Sequence, residues 1–328
     1  MRDVIRWGIM GTGNIANKFV KGLLTLDNVK LRAVGSRDLK KAEAFSSQYG
    51  FEKAYGSYEE LVSDPEVDIV YISTPHPFHK EGSELCLNAG KAVLCEKPFT
   101  LNAKDSRQLV NLAREKHLFL MEAMWTRYIP VIVKVKEWIE KGLIGDVHCL
   151  KAEYGAIGKW DPSGRLYNLE LGGGALLDIG IYPVSFASMI FGAQPSTITS
   201  IVNIGQTGVD ERNAILFGYD QGKMANLMSA INTDLPNDAW IFGTKGHIRV
   251  PYYFRAKEAT LSLKDGHEET FRFDFESTGY QYEAQEAMDC LKNGQLESNV
   301  MPLDETIAIM ETMDKIRAQW NLCYPGEE

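Results

Sequence analysis

The chain has 328 residues, 45% hydrophobic and 24% charged, the make-up of an ordinary globular protein long enough for two domains. A net charge of −9 at pH 7 argues against a nucleic-acid partner, because neutralising phosphates takes a basic face. Five widely spaced cysteines without a C-x-x-C spacing read as reduced thiols; no secretory leader is visible and no apolar run approaches a membrane span, so a cytoplasmic protein with no membrane partner is expected.

The first apolar run, 4–10, feeds Gly11-Thr12-Gly13-Asn14-Ile15-Ala16 and then an amphipathic stretch, 15–25. Strand, glycine turn and helix in that order form a pyrophosphate cradle. The first glycine makes the tight turn, the second admits the phosphates, and the helix start offers free N–H groups. Gly11, Thr12, Gly13, Asn14 and Ile15 are therefore cofactor-binding candidates, and the expected ligand is a dinucleotide. Further apolar runs at 30–35, 68–73, 92–95 and 118–121 alternate with helical stretches at 39–49, 57–63, 78–89 and 102–116. Such alternation builds a parallel sheet with helices on both faces.

After Met124 the pattern changes. A helix is expected over 128–141, then strands at 147–156, 196–206, 213–219, 223–231, 239–243, 247–252, 259–264 and 268–275. Turn signals such as Asp265-Gly266 join several of them, the mark of an antiparallel sheet. Helices at 278–292 and 303–320 close the chain. The fold expected is α/β: a doubly wound Rossmann domain over 1–122, then an α/β domain over 123–328 with a large open, mainly antiparallel sheet. The two meet at a tight junction near 122–125.

Ligands of open parallel sheets bind beyond the carboxyl ends of the strands. The second strand ends in Ser36-Arg37, where an NAD-binding chain usually places an acid for the ribose 2′-hydroxyl. The next acid, Asp38, stands at the N-cap of the following helix. An arginine without an acid suits a 2′-phosphate, so NADP(H) is the preferred cofactor, with NAD(H) as the alternative. The bland reading of Arg37 is a solvated surface charge.

Thr74, Pro75 and His76 end the next strand, and Glu96-Lys97-Pro98 the one after it. Lys97 at the cofactor edge is placed to donate to a carbonyl or hydroxyl oxygen; a surface lysine after a strand is its plain alternative. Pro98 biases Lys97 to an extended conformation and leaves a cis bond open. His76 and His79 line the cofactor or substrate cleft on this reading, and no metal site is expected, since no cysteine or carboxylate cluster accompanies them.

In Gly172-Gly173-Gly174-Ala175-Leu176-Leu177-Asp178-Ile179-Gly180-Ile181-Tyr182-Pro183, a helix over 174–191 would put Asp178 and Tyr182 on one face. An Asp–Tyr pair suits proton transfer to a substrate hydroxyl, or else forms a buried structural bond; Gly180 and Pro183 predict a kink. Trp125 and Arg127 either wall the cleft or pack the junction. Trp160 and Arg165 are substrate-side candidates.

Gly11-x-Gly13-x-x-Ala16, Glu96-Lys97-Pro98 and Gly172-Gly173-Gly174 with Asp178 and Tyr182 resemble the glucose-fructose oxidoreductase, inositol dehydrogenase and MocA family over nearly the whole chain. Cys95-Glu96-Lys97-Pro98-Phe99-Thr100 and Glu122-Ala123-Met124-Trp125-Thr126-Arg127 are similar to its dimeric dihydrodiol dehydrogenase and D-xylose dehydrogenase branch. The resemblance implies reversible hydride transfer between NADP(H) and a sugar, polyol or vicinal diol. It implies Lys97 as the catalytic lysine and Ser36 and Arg37 as the NADP-side residues. Many members carry a histidine where this chain has Tyr182; the dihydrodiol branch carries a tyrosine. Tyr182, its pKa lowered by Lys97, is expected to take the hydroxyl proton, with Asp178 orienting it. The resemblance also implies a homo-oligomer, dimer or tetramer, through the open sheet face. Alternatives are a keto-sugar reductase, a non-catalytic NADP-sensing regulator, and redox-neutral chemistry with a tightly held cofactor.

Overall fold

The computed structural model describes residues 4–192 and 194–327. They form two compact units: the chain up to Trp125 with Phe275–Ile307, and Thr126–Asp274 with the residues from Ala308 on. The first crossing thus falls at 125/126, but the second domain is not the continuous stretch 123–328 expected from the sequence. Residues 275–307 return to the first unit. There Ser277 and Thr278 donate their hydroxyls to the carbonyls of Lys21 and Lys18, and the backbone N of Gln281 comes within 2.9 Å of where a Cβ on Gly22 would stand. An amphipathic pattern says that a helix is half-buried and does not say against what.

The first unit holds a six-stranded parallel sheet: β1 (Ile5–Met10), β2 (Val29–Gly35), β3 (Lys53–Tyr55), β4 (Ile69–Ile72), β5 (Ala92–Glu96) and β6 (Leu120–Ala123). Their order, β3-β2-β1-β4-β5-β6, is the doubly wound one, and its direction reverses between β1 and β4. β3 has three residues, too few for a hydrophobic pattern, and was not foreseen. β4, β5 and β6 are buried throughout, as strands covered on both faces must be. The helices are α1 (Asn14–Leu23), α2 (Leu39–Tyr49), α3 (Tyr58–Ser63), α4 (His79–Asn88) and α5 (Ala103–Lys116). Asp38, Ser57 and Asn102 cap α2, α3 and α5 by accepting the N–H of Lys40, Glu60 and Asp105.

The second unit carries α6 (Pro130–Glu140) and an eight-stranded sheet of β7 (Val147–Gly155), β8 (Thr197–Ile204), β9 (Asp210–Gly218), β10 (Met224–Ala230), β11 (Ala239–Gly243), β12 (Gly246–Val250), β13 (Glu258–Leu263) and β14 (Glu268–Arg272). The order is β14-β13-β12-β11-β7-β10-β9-β8. Every pair is antiparallel except β7 with β10. One sheet face, with Leu150, Ile215, Leu227, Ile241 and Ile248, is buried. The other exposes Ile201 (72%), Leu216 (55%), Met224 (55%) and Phe242 (40%). α7 (Ile181–Phe191) packs on β7 and β10. The chain closes with α8 (Gln281–Lys292) in the first unit and α9 (Leu303–Gln319).

One sequence expectation fails here. Leu169–Phe191 is a helical stretch of 23 residues, long and apolar enough to cross a membrane. Its most apolar window is 83% buried within the protein, so the absence of a polar face reflects burial on all sides.

Candidate active site

The cradle forms where the sheet order reverses. Met10 ends β1; Gly11 N–H donates to Gly35 O and Ser73 N–H to Met10 O, tying the carboxyl ends of β1, β2 and β4 together. Gly11 has φ +101°, and a Cβ on it would stand 3.0 Å from Ser73 Oγ, so only glycine fits. A Cβ on Gly13 would meet nothing within 4 Å, leaving open space in front of α1. Gly13 is the N-cap of α1 and provides no side-chain cap, so the first N–H groups of the helix are left to a ligand. These residues fit a dinucleotide pyrophosphate.

Beside the cradle lies a cavity of ≈ 360 Å³ lined by Arg37, Ser57, Tyr58, Thr74, Pro75 and Phe78, among others. The Arg37 guanidinium lies over the Phe78 ring at 5.6 Å. Asp38 is committed to capping α2, and no acid takes the place of Ser36 or Arg37 at the end of β2.

The lysine loop is organised by buried acids. Glu96 ends β5 and is 5% exposed. Its carboxylate accepts the Tyr71 hydroxyl on one oxygen and the Lys97 backbone N–H, at 3.2 Å, on the other. Tyr71 is held in turn by face-to-face stacking on Phe19 at 3.6 Å. The Lys97–Pro98 bond is cis. Glu283, from α8, is fully buried, and neither carboxyl oxygen has a hydrogen-bond partner among the described residues. Burial and the nearby Glu96 charge push its pKa well up. Nothing in the sequence marks Glu283 as a neighbour of Glu96; it lies in an ordinary amphipathic helix.

His79, expected at the cleft, is placed against two strand ends. It is 1% exposed, and its Nδ1 and Nε2 lie 2.8 Å from Pro98 O and Thr74 O. Both ring nitrogens face backbone carbonyls at the ends of β4 and β5, and the nitrogen that carries the proton donates to its carbonyl. Burial lowers its pKa, against the pull of the two carbonyls. His76 is also buried, edge-on to His79 at 5.7 Å. Trp125 stacks on Tyr280 at 4.5 Å.

In the second unit the helix expected over 174–191 runs on through Gly180 and Pro183, widened over the turn just before Ile181. Leu176–Gly180 is a widened π turn, and α7 follows. Asp178 is ion-paired to Arg165, Nη1 to Oδ1 at 2.5 Å. Tyr182 meets Tyr154 edge-on at 5.5 Å, and Tyr154 stacks on Phe254 at 3.8 Å. Burial, together with the Asp178 charge, pushes the Tyr154 phenol up to about 12. Asp178 and Tyr182 thus stand beside an aromatic wall, with Trp160 edge-on to Tyr167 at 4.6 Å farther along. Arg127 is not a free wall residue. It is 4% exposed, with Nε and Nη2 donating to the Ser185 hydroxyl and carbonyl.

A glycine cradle at the reversal point of a parallel sheet, followed by a buried-acid-supported lysine, defines a nicotinamide-dinucleotide oxidoreductase. Residues 5–124 match the profile of the GFO/IDH/MocA oxidoreductase family, NAD-binding Rossmann fold, and residues 132–249 that of the GFO/IDH/MocA C-terminal domain. The chain belongs to this family. It is 40% identical to trans-1,2-dihydrobenzene-1,2-diol dehydrogenase of Xenopus laevis, covering 98% of this chain and 99% of that one. The Homo sapiens protein of the same name is 38% identical over 99% of each chain. A 3-ketoreductase from Actinomadura kijaniata, solved with NADP and TDP-benzene, superposes with a TM-score of 0.85 at 25% identity, covering 96% of this chain and 97% of that one.

Proposed function

We propose that the chain is an NADP(H)-dependent dehydrogenase of vicinal diols or sugars. The observation that carries the reading is Lys97, set at the end of β5 by the Glu96 carboxylate and beside a cradle built for a dinucleotide. When bound, the nicotinamide accepts or returns the hydride. Lys97 donates to the substrate oxygen, Tyr182 takes the hydroxyl proton, and Asp178 orients the substrate. A secondary alcohol thus loses hydride from carbon and a proton from oxygen to become a carbonyl; reduction reverses both transfers with the same residues. Arg37 pairs with the 2′-phosphate, which supports NADP(H) over NAD(H). The aromatic wall of Tyr154, Phe254 and Tyr182 supports a substrate with an apolar ring face, and the diol dehydrogenase relatives support a vicinal diol.

The test is NADP⁺ reduction against aromatic trans-dihydrodiols, aldoses and inositols, with Lys97→Met alongside. Turnover on one class, lost in the variant, is expected. Silence across the panel with NADPH still bound overturns the reading in favour of cofactor sensing.

The exposed apolar sheet face supports a homo-oligomer, dimer or tetramer, joined through that face. Leu216→Lys with Phe242→Lys should then give a monomer by light scattering; an unchanged mass counts against it. The free cysteines, among them Cys86, Cys95 and Cys290 in the interior, support a reducing, cytoplasmic setting.

A further inference from the structure

Asp210 opens β9 with no exposure to solvent. Its Oδ2 accepts the Leu176 N–H at 2.8 Å and the Asn213 side-chain amide at 2.9 Å. Asn213 is anchored in turn, its Oδ1 accepting the Ser229 hydroxyl at 2.9 Å. Asp210 Oδ1 has no hydrogen-bond partner among the described residues and presses on Gly174, where a Cβ would stand only 2.3 Å away. Gly174 has φ +116°, so the last of the three glycines is required both by its backbone and by the approach of this carboxylate.

Leu176 is the first residue of the widened turn that carries Asp178 and leads into Tyr182. The N–H groups at the start of a helical segment need an acceptor, and a negative charge there is favoured. Asp210 acts as a cap supplied from the sheet and not from the preceding residues. Local capping is absent, since Ala175 at the cap position has no side-chain acceptor.

We infer that Asp210 is a positioning residue for the substrate side of the site: anchored by Asn213 and Ser229, its carboxylate fixes the start of the segment that presents Asp178 and Tyr182. The inference rests on the roles proposed above for those two residues. Burial pushes the Asp210 carboxyl up to about 7, against the Leu176 and Asn213 bonds and the Arg317 charge. The other titratable groups facing it are fixed. Tyr324, whose phenol is driven well up by burial and by Asp210, donates to Gly173 O at 2.7 Å. Arg317 is held by Asp314 and Glu327. The raised value makes ionisation costlier in the folded segment than in the opened one, so the segment is held most firmly below neutrality and loses stability as pH rises toward about 7.

The test is amide hydrogen exchange of the full-length protein over residues 174–182, corrected for intrinsic rates, between about pH 5.5 and 8.5. Protection in the wild type should fall by about tenfold as pH rises from about 5.5 toward about 7 and level off above it, and Asp210→Asn should be flat across the range. In parallel, Asp210→Asn should lower kcat/KM for the diol or sugar by about tenfold while the KM for NADP⁺ holds. A purely structural role would lower the melting temperature and leave the pH profile in place. Flat wild-type protection, or a variant that keeps the wild-type profile, overturns the inference. If Asp210→Asn does not fold, the wild-type exchange profile alone decides. Expected exchange without turnover of any diol or sugar sinks the proposed function and leaves the role of Asp210 intact.

Discussion

Arg165 Nη1 lies 2.5 Å from Asp178 Oδ1, and the two partners sit in opposite environments: the Asp178 side chain is 7% exposed, that of Arg165 54%. A pair with so exposed a cation contributes about 0–1 kcal/mol to stability. Its consequence is orientation of the carboxylate. Arg165→Gln should lower kcat/KM for the diol or sugar by about tenfold while moving the melting temperature by less than about 3 °C. Steady-state kinetics beside a thermal scan reads both. Unchanged kcat/KM would make the pair incidental.

Arg37 is the proposed reader of the 2′-phosphate. A charge-assisted bond to a phosphate is worth about 1.5–3 kcal/mol, so Arg37→Gln should raise the KM for NADP⁺ by about 10- to 100-fold. The KM for NAD⁺ should move little. Equal losses for both cofactors would mean that Arg37 does not read the 2′-phosphate.

Lys97→Met removes the donor and keeps the length of the side chain. Turnover should fall by at least about 10²-fold, with NADPH affinity by fluorescence titration within about threefold of wild type. A variant that binds NADPH weakly instead would recast Lys97 as a cofactor ligand.

Glu283 carries a pH signature. Its folded pKa is raised by burial and by Glu96, so its contribution to stability is complete below the unfolded value of about 4.3 and is lost as pH rises toward the folded value. Glu283→Gln, neutral at every pH, should become progressively more stable than wild type from about pH 5 upward. Denaturant midpoints across that range measure the gap. A gap that stays constant with pH would show that folded Glu283 is ionised.

Much of the site was legible because its chemistry is local. The cradle is a strand, a turn and a helix start within a few residues, and Gly11 and Gly13 announce it. Arg37 in place of an acid and Lys97 before Pro98 are likewise read from neighbours along the chain. The partners of His79 and Arg127, the carbonyls of Thr74 and Pro98 and the backbone and hydroxyl of Ser185, were not legible because they come into reach only on folding.

Sequence alone determined the doubly wound first unit, the glycine cradle, the arginine at the end of β2 and the lysine beyond β5. Periodicity, turn preference and residue chemistry act over a few positions, and these features need nothing more. Tertiary structure decided that residues 275–307 return to the first unit, that buried Glu283 lies near Glu96, and that Asp210 caps the segment holding Asp178 and Tyr182. Each of these joins groups distant along the chain through burial. Hydrophobic burial has no direction in sequence, and the hydrogen bonds and charge effects it forces exist only once the partners meet.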